Sequence, residues 1–396
     1  MATNRSGLDR REFLKLGAAT SGLAVACGRG AGEARPTGAA VEMRYRPLGA
    51  TGLQVSELSF GAHGVDNPPL MEAAWEAGID TFCTSGHYLD GLEEEALGKA
   101  IRAASVDRDR LVVLTGNYIK PGMTKRSVLD DIDASLRRLG TDHIAVYYTS
   151  MMRSPAELWV DPFHEAIEEA KKAGKVGHLG LSGHSGGLQD VLNSAIDDGR
   201  FEVFFIKFDY VSYPDQDEIL ERAAKNGIGT IVFKTNAGNR QREIKDLEAG
   251  GLSYPQATMK WALTHPEVAS VSVTLTSFAQ LQEMAAAVGA RPTRSEVAML
   301  RRYADEMRDR YCRFCADCES SCPHGVAIAD INRFWMYFAH YDRRREARQH
   351  YAALAQRRSA AACEECAAPC NGACPFHRTV QAELVEAHRR LQGATA

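Results

Sequence analysis

Residues 162–181 read PFHEAIEEAKKAGKVGHLGL and hold one full unit of the pattern that builds this chain. Pro162 stands where a helix tolerates proline, in its first turn, and Lys171 and Lys172 close the same helix just before Gly174. A β-rich run, Val176–Leu181, follows at once. Outward from this unit the alternation repeats between about residues 57 and 287. The predicted strands are Glu57–Phe60, Ile79–Cys83, Leu111–Thr115, Ile144–Tyr148, Val176–Leu181, Val203–Phe208, Gly229–Phe233 and Val268–Val273. Helical stretches lie between them. In Ser127–Leu139, for example, Val128, Ile132, Leu136 and Leu139 share one face, with Asp130, Asp131 and Arg138 expected in water. Eight β/α units make a closed parallel barrel the economical α/β solution. Ahead of it, Tyr45–Val55 reads as a hairpin turning at Ala50-Thr51-Gly52.

Composition sets the outer bounds. The chain has 396 residues, 45% hydrophobic and 25% charged, enough for one large core and an appendage. A net charge of −4 and the lack of a basic run longer than Arg343-Arg344-Arg345 argue against nucleic acid as a partner. No stretch of about 20 apolar residues predicts a membrane span.

Eight of the ten cysteines fall in the last quarter, in two runs that each end in Cys-Pro. The first is Cys312, Cys315, Cys318 and Cys322; the second is Cys363, Cys366, Cys370 and Cys374. Two-residue gaps bring three sulfurs of one loop to a common corner, and in two-cluster ferredoxins the Cys before Pro ligates the other cluster. One [4Fe-4S] cluster is therefore expected on Cys312, Cys315, Cys318 and Cys374, and another on Cys363, Cys366, Cys370 and Cys322. Zinc sites or disulfides are the alternatives, though zinc favours paired knuckles over four cysteines in one run. The second run carries an extra residue before Cys370, so its loop must bulge.

The first 42 residues are expected to stand apart from the fold. Asp9-Arg10-Arg11-Glu12-Phe13-Leu14-Lys15 resembles a twin-arginine export signal, followed by a weakly apolar stretch, Leu16–Ala26. Ala24-Val25-Ala26 is a cleavage candidate, or Cys27 is a lipid anchor, and Gly28–Ala40 reads as a linker. Twin-arginine export carries folded proteins, which suits a protein loaded with clusters in the cytoplasm. The expected location is the periplasm or cell envelope, and the cysteines are then metal ligands despite the export address.

The hairpin Arg46-Pro47-Leu48-Gly49-Ala50-Thr51-Gly52-Leu53-Gln54-Val55-Ser56 resembles the opening of aldo/keto reductases. The likeness continues through Ala77–Phe82, Gly174–Ser182 and Trp261-Ala262-Leu263. It implies a (β/α)8 TIM barrel over residues 43–292 whose hairpin plugs the bottom. A small helical ferredoxin-like iron–sulfur segment over residues 293–396 matches one branch of that family. The resemblance also implies a Tyr, Lys, Asp and His tetrad for NADP(H)-dependent carbonyl reduction, the Tyr needing help because free phenol has a pKa of about 10. Here the Tyr position is Tyr88, but the Asp position is Cys83, the Lys position Gly116 and the His position Ser150. The nicotinamide-holding Gln and Asn positions read Phe205 and Asp209, the phosphate loop Ser272–Ser277 lacks its Gly, and Met284 replaces an Asn. Ser182 and Lys234 remain as cofactor-binding candidates.

NADP(H) dependence is thus in question, and three functions stay open. The first is an exported iron–sulfur oxidoreductase or electron-transfer protein, working with a redox partner protein or a small-molecule substrate. The second is a binding or structural module stabilised by clusters. The third is an NAD(P)H-dependent reductase. Catalytic candidates are Tyr88, Cys83 and His184. Cys83 is a redox thiol or a small core residue, His184 an acid or base or a loop residue, and Tyr88 an acid or a wall. His63, Asp90 and Tyr148 are candidates by position. The aromatic helix Ala329–Phe338 is expected to pack on the barrel, shield a cluster or dock a partner, and Asp342–Arg348 to face solvent.

Overall fold

The computed structural model describes residues 42–104, 106–119, 122–184, 186–211, 216–238, 240–248 and 251–393, without the side chains of 241 and 242. The export-signal stretch and Cys27 lie outside the described residues. A two-stranded hairpin, β1 (Tyr45–Pro47) and β2 (Gln54–Ser56), precedes eight barrel strands. These are β3 (Leu58–Gly61), β4 (Thr81–Cys83), β5 (Val112–Tyr118), β6 (Ile144–Ser150), β7 (Val176–Gly183), β8 (Val203–Lys207), β9 (Gly229–Phe233) and β10 (Val268–Thr274). All neighbours are parallel, and β10 pairs with β3 to close the ring. The period-2 alternation sorts side chains cleanly: Val203 and Phe205 fill the barrel interior, while Phe204 and Ile206 pack under the surrounding helices.

Local chemistry accounts for the helices. Thr124 and Ser127 form a reciprocal cap on Lys125–Leu139, and Gly140 ends it at φ 67°. Its buried face is Val128, Ile132, Leu136 and Leu139, as the spacing predicts. Arg138 departs from the expectation. It turns inward and bonds the fully buried Glu94 at 2.6 Å, because a buried carboxylate needs a cation more than an arginine needs water.

The hairpin seals the bottom. Gly49 has φ 57°, and a Cβ there would stand 2.3 Å from Gly229 N. Only glycine fits a turn that is both left-handed and pressed on another backbone. Arg46 pins the hairpin by donating to Glu57 at 2.7 Å and to the carbonyls of Leu263 and Val268, each at 2.9 Å.

After β10 the chain is helical: Phe278–Ala285, Arg294–Glu306, Ile328–His340, Arg344–Ala352, Pro369–Ala373 and Val380–Leu391, with the cysteine loops between them. This segment shares one apolar core with barrel residues, Tyr254 stacking on Tyr303 with centroids 4.7 Å apart. Among the described residues no helix is long and apolar enough to cross a membrane.

Candidate functional site

The barrel opens at the C-terminal ends of its strands into a cavity of about 550 Å³. Its lower wall is barrel, its roof the helix Ile328–His340 and the start of the next. All five barrel candidates, Cys83, Tyr88, Ser182, His184 and Lys234, line it, with His63 and Tyr148; Asp90 does not.

The positions that depart from the tetrad are occupied for steric reasons. A Cβ on Gly116 would meet the Tyr148 carbonyl oxygen at 1.8 Å, so no side chain can stand there. The Tyr148 phenol takes the neighbouring space and donates to Thr84 O at 2.6 Å, within reach of Tyr88. Burial pushes the Cys83 thiol up to about 12, although Ser272 and Ser59 lower it, and this disfavours the thiolate. Tyr88 stacks on His63 with centroids 4.2 Å apart. Burial raises its pKa further, and neighbouring Tyr118 and Glu93 add to the rise, so it lacks the help an acidic phenol needs. His184 is kept neutral by burial and by Lys234.

The roof brings residues that the sequence reading left out of the site. Lys234 donates to the Tyr337 hydroxyl at 2.8 Å, and Arg333 reaches the same tyrosine. Glu346 pairs with His63 at 3.4 Å, His350 at 3.6 Å and Arg343 at 3.8 Å. The expectation of a solvated Asp342–Arg348 face is therefore corrected: Arg343 and Glu346 line the cavity, because the helix break at Tyr341 folds this stretch back over the mouth. No local spacing marks Arg333, Tyr337 or Glu346 as cavity residues; the barrel groups they meet, Met151, Lys234 and His63, are remote in sequence. Strain gathers here too. Leu89, Asp90, Met151 and Lys234 all have positive φ at strand-end loops.

The places expected to hold nicotinamide do not fit it. Phe205 packs on Phe233 at 4.6 Å between centroids, and Asp209 is buried against Lys207 at 2.6 Å while accepting from Tyr311 at 3.3 Å. Glu248 and Glu283 also line the cavity, and carboxylates disfavour a phosphate.

None of the nine described cysteines forms a disulfide. The cluster-run cysteines gather across the two loops. Cys318 lies within electrostatic reach of Cys312, Cys374 and Cys315, and Cys363 within reach of Cys322, Cys370 and Cys366. Among the described residues no three His, Cys, Asp or Glu come close enough for one metal ion. Four thiolates drawn from two loops are the donor set that a four-iron cluster takes, one per corner. The loops bend sharply there: Phe314, Ala316 and Ala368 are left-handed, and Val326 N–H donates to Cys322 Sγ at 3.4 Å. Gln381 ties the second loop by donating to Cys363 O at 2.6 Å and Cys366 O at 2.8 Å. The first loop rests on the barrel, where a Cβ on Gly186 would lie 3.1 Å from that of Ala316.

Residues 65–249 match the aldo/keto reductase family. The chain is 24% identical over 335 residues to versiconal hemiacetal acetate reductase of Aspergillus parasiticus, covering 65% of this chain and 96% of that protein. It is 25% identical to L-galactose dehydrogenase of Arabidopsis thaliana, covering 62% and 88%. The holo form of an aldo-keto reductase from Bacillus halodurans superposes with TM-score 0.56 at 22% identity, over 66% of this chain and 96% of that one. Closed parallel barrel, plugging hairpin and family match agree: over residues 65–249, most of its barrel, this chain is similar to the aldo/keto reductase family.

Proposed function

We propose that this protein is an exported iron–sulfur oxidoreductase of the cell envelope in which an aldo/keto reductase barrel has exchanged nicotinamide chemistry for one-electron chemistry. Cys312, Cys315, Cys318 and Cys374 would hold one [4Fe-4S] cluster, and Cys363, Cys366, Cys370 and Cys322 the other. The observation that carries the reading is the cavity whose walls are shared between the barrel strand ends and the cysteine-bearing segment. When bound, the clusters would supply one-electron transfer between a redox partner and the cavity. The second cysteine run has exposed neighbours, Glu364 and Glu365, which suit a partner's approach, while the first run lies against the barrel. Within the cavity this chain's own residues bind and orient the substrate and keep water out. The twin-arginine motif, with Cys27 as a lipid anchor in reserve, supports delivery of the folded protein.

A second reading, NAD(P)H-dependent carbonyl reduction, is favoured by the family match alone. A structural module is disfavoured by the open cavity, since a mouth without work would be filled. Iron and sulfide analysis with calorimetry on anaerobically prepared protein separates the three. About eight irons, a reversible one-electron couple and no NADPH binding are expected. Micromolar NADPH binding with turnover of a carbonyl would install the second reading. Clusters that break down whenever they are reduced would install the module.

A further inference from the structure

Lys234, Arg333 and Arg343 line the barrel mouth together with Glu248, Glu283 and Glu346. Lys234 comes from the end of β9 and Arg333 from the roof helix, and both converge on the Tyr337 hydroxyl. An oxygen that accepts from two cations keeps its O–H to donate elsewhere. Arg333 is only 3% exposed. One of its Nη atoms donates to Asp330 at 2.8 Å, the other lies 3.8 Å from Met151 Sδ, and its Nε–H has no partner among the described residues. Asp330 is shared with Arg153 at 3.0 Å, so one carboxylate answers two guanidiniums. Glu346, the nearest other acid of the roof, is committed to His63, His350 and Arg343. Lys234 is also held at φ 57°, a conformation that a lysine keeps only where its surroundings impose it. A buried guanidinium that shares its one carboxylate and leaves an N–H unpaired is costly, and the natural counterpart is a further anionic acceptor brought by a ligand. Below them the wall is aromatic, with Tyr88 and Phe233 offering ring faces.

We infer that the cavity is a binding site for a small carboxylate-bearing molecule, its carboxylate accepting from Arg333, Lys234 and Tyr337 and its body resting on Tyr88 and Phe233. The inference rests on reading the cavity as the working site and names the substrate class of that site. It also carries a proton signature. Burial, with Arg343 and Arg333, holds Lys234 well below the usual lysine range. The charged and titratable groups around it are Arg333, Tyr337, Arg343 and Glu346 from the roof, with His184 and Lys207 from the barrel. An arriving carboxylate stabilises the ammonium form, so binding favours proton uptake at Lys234 Nζ.

Calorimetric titration of the full chain with malonate, dimethyl malonate, inorganic phosphate and NADPH tests this. Malonate should bind with net proton uptake, read from buffers of different ionisation enthalpy, and the uncharged diester should not bind. Lys234→Met and Arg333→Met should each weaken malonate about tenfold or more, and Tyr337→Phe several-fold, with circular dichroism reporting that each variant is folded. If Arg333→Met fails to fold, Lys234→Met and Tyr337→Phe carry the test. Equal affinity for the diester, unchanged affinity in Lys234→Met, or tighter binding of phosphate or NADPH than of malonate overturns the inference. Iron content on the same sample keeps the two readings apart. Malonate binding without iron leaves the carboxylate site standing and sinks the cluster reading, and iron without malonate binding does the reverse.

Discussion

The two ends of the barrel are closed by opposite devices. At the bottom a hairpin is pressed on backbone, with Gly49 too tight for a side chain and Arg46 spread over Glu57 and two carbonyls. At the top two helices bridge the mouth and leave a cavity, strained loops and polar atoms without partners among the described residues, such as Ser150 Oγ and His184 Nδ1. Unsatisfied groups and strain are retained only where something compensates for them. The contrast assigns the bottom to stability and the top to function, as in other barrels of this architecture.

The contrast can be broken by perturbing each end. On the proposed cluster reading, stripping iron with a chelator under reductant should act most strongly, since metal-coupled folding is of order 10 kcal/mol. Far-UV circular dichroism should show loss of the C-terminal helices, and malonate binding should vanish with the roof. An unchanged spectrum after iron removal would mean that packing alone holds the cap. At the bottom, Gly49→Val places a β-branched residue at φ 57° with a Cβ 2.3 Å from backbone. It should cost more than about 3 kcal/mol in denaturant unfolding, because strain and overpacking add.

Gly116→Ala probes the floor of the mouth, where the new methyl meets Tyr148 O at 1.8 Å. A loss of about 1–3 kcal/mol is expected. A stable Gly116→Lys variant would show that the tetrad position is still accessible and would reopen carbonyl reduction. Tyr337→Phe, in contrast, should shift stability by no more than about 1 kcal/mol while weakening the carboxylate ligand, since one hydroxyl of the functional end is lost.

The smallest effect belongs to Glu202 at the bottom. Burial pushes its carboxyl up, but His178, Lys171 and the Leu179 N–H together hold it at about 2, below the ordinary 4.5. A carboxyl lowered by folding stabilises fully above its ordinary range and loses that contribution as pH falls toward the folded value. The melting-temperature difference between the wild type and Glu202→Gln should therefore shrink from about pH 5 to about pH 2. A difference that grows on acidification would contradict the assignment. Comparing the two proteins at each pH cancels any acid loss of the clusters.

Sequence reading went far for the barrel and less far for its mouth. The eight predicted strands each overlap an observed one, with ends differing by a few residues, and the apolar face of Lys125–Leu139 was legible residue by residue. Arg138 was not, because its partner Glu94 lies 44 positions away. The places of Cys83, Tyr88, Ser182, His184 and Lys234 at strand ends followed from the barrel pattern. The roof did not: Tyr337 meets Lys234 across 103 positions, and an aromatic helix gives no sign of which ring will face a lysine.

What the chain alone determined is everything written in short spacings: alternation in strands, the three-to-four rhythm of helices, the hairpin turn and the gaps between cysteines. Those follow from backbone geometry, which repeats every few residues wherever it occurs. Tertiary structure alone decided that Tyr148 fills the place of a lysine, and that Arg333, Tyr337 and Glu346 line the mouth. Such meetings depend on where a bend at Tyr341 sends a helix, and no local pattern encodes a direction set by packing against the rest of the molecule.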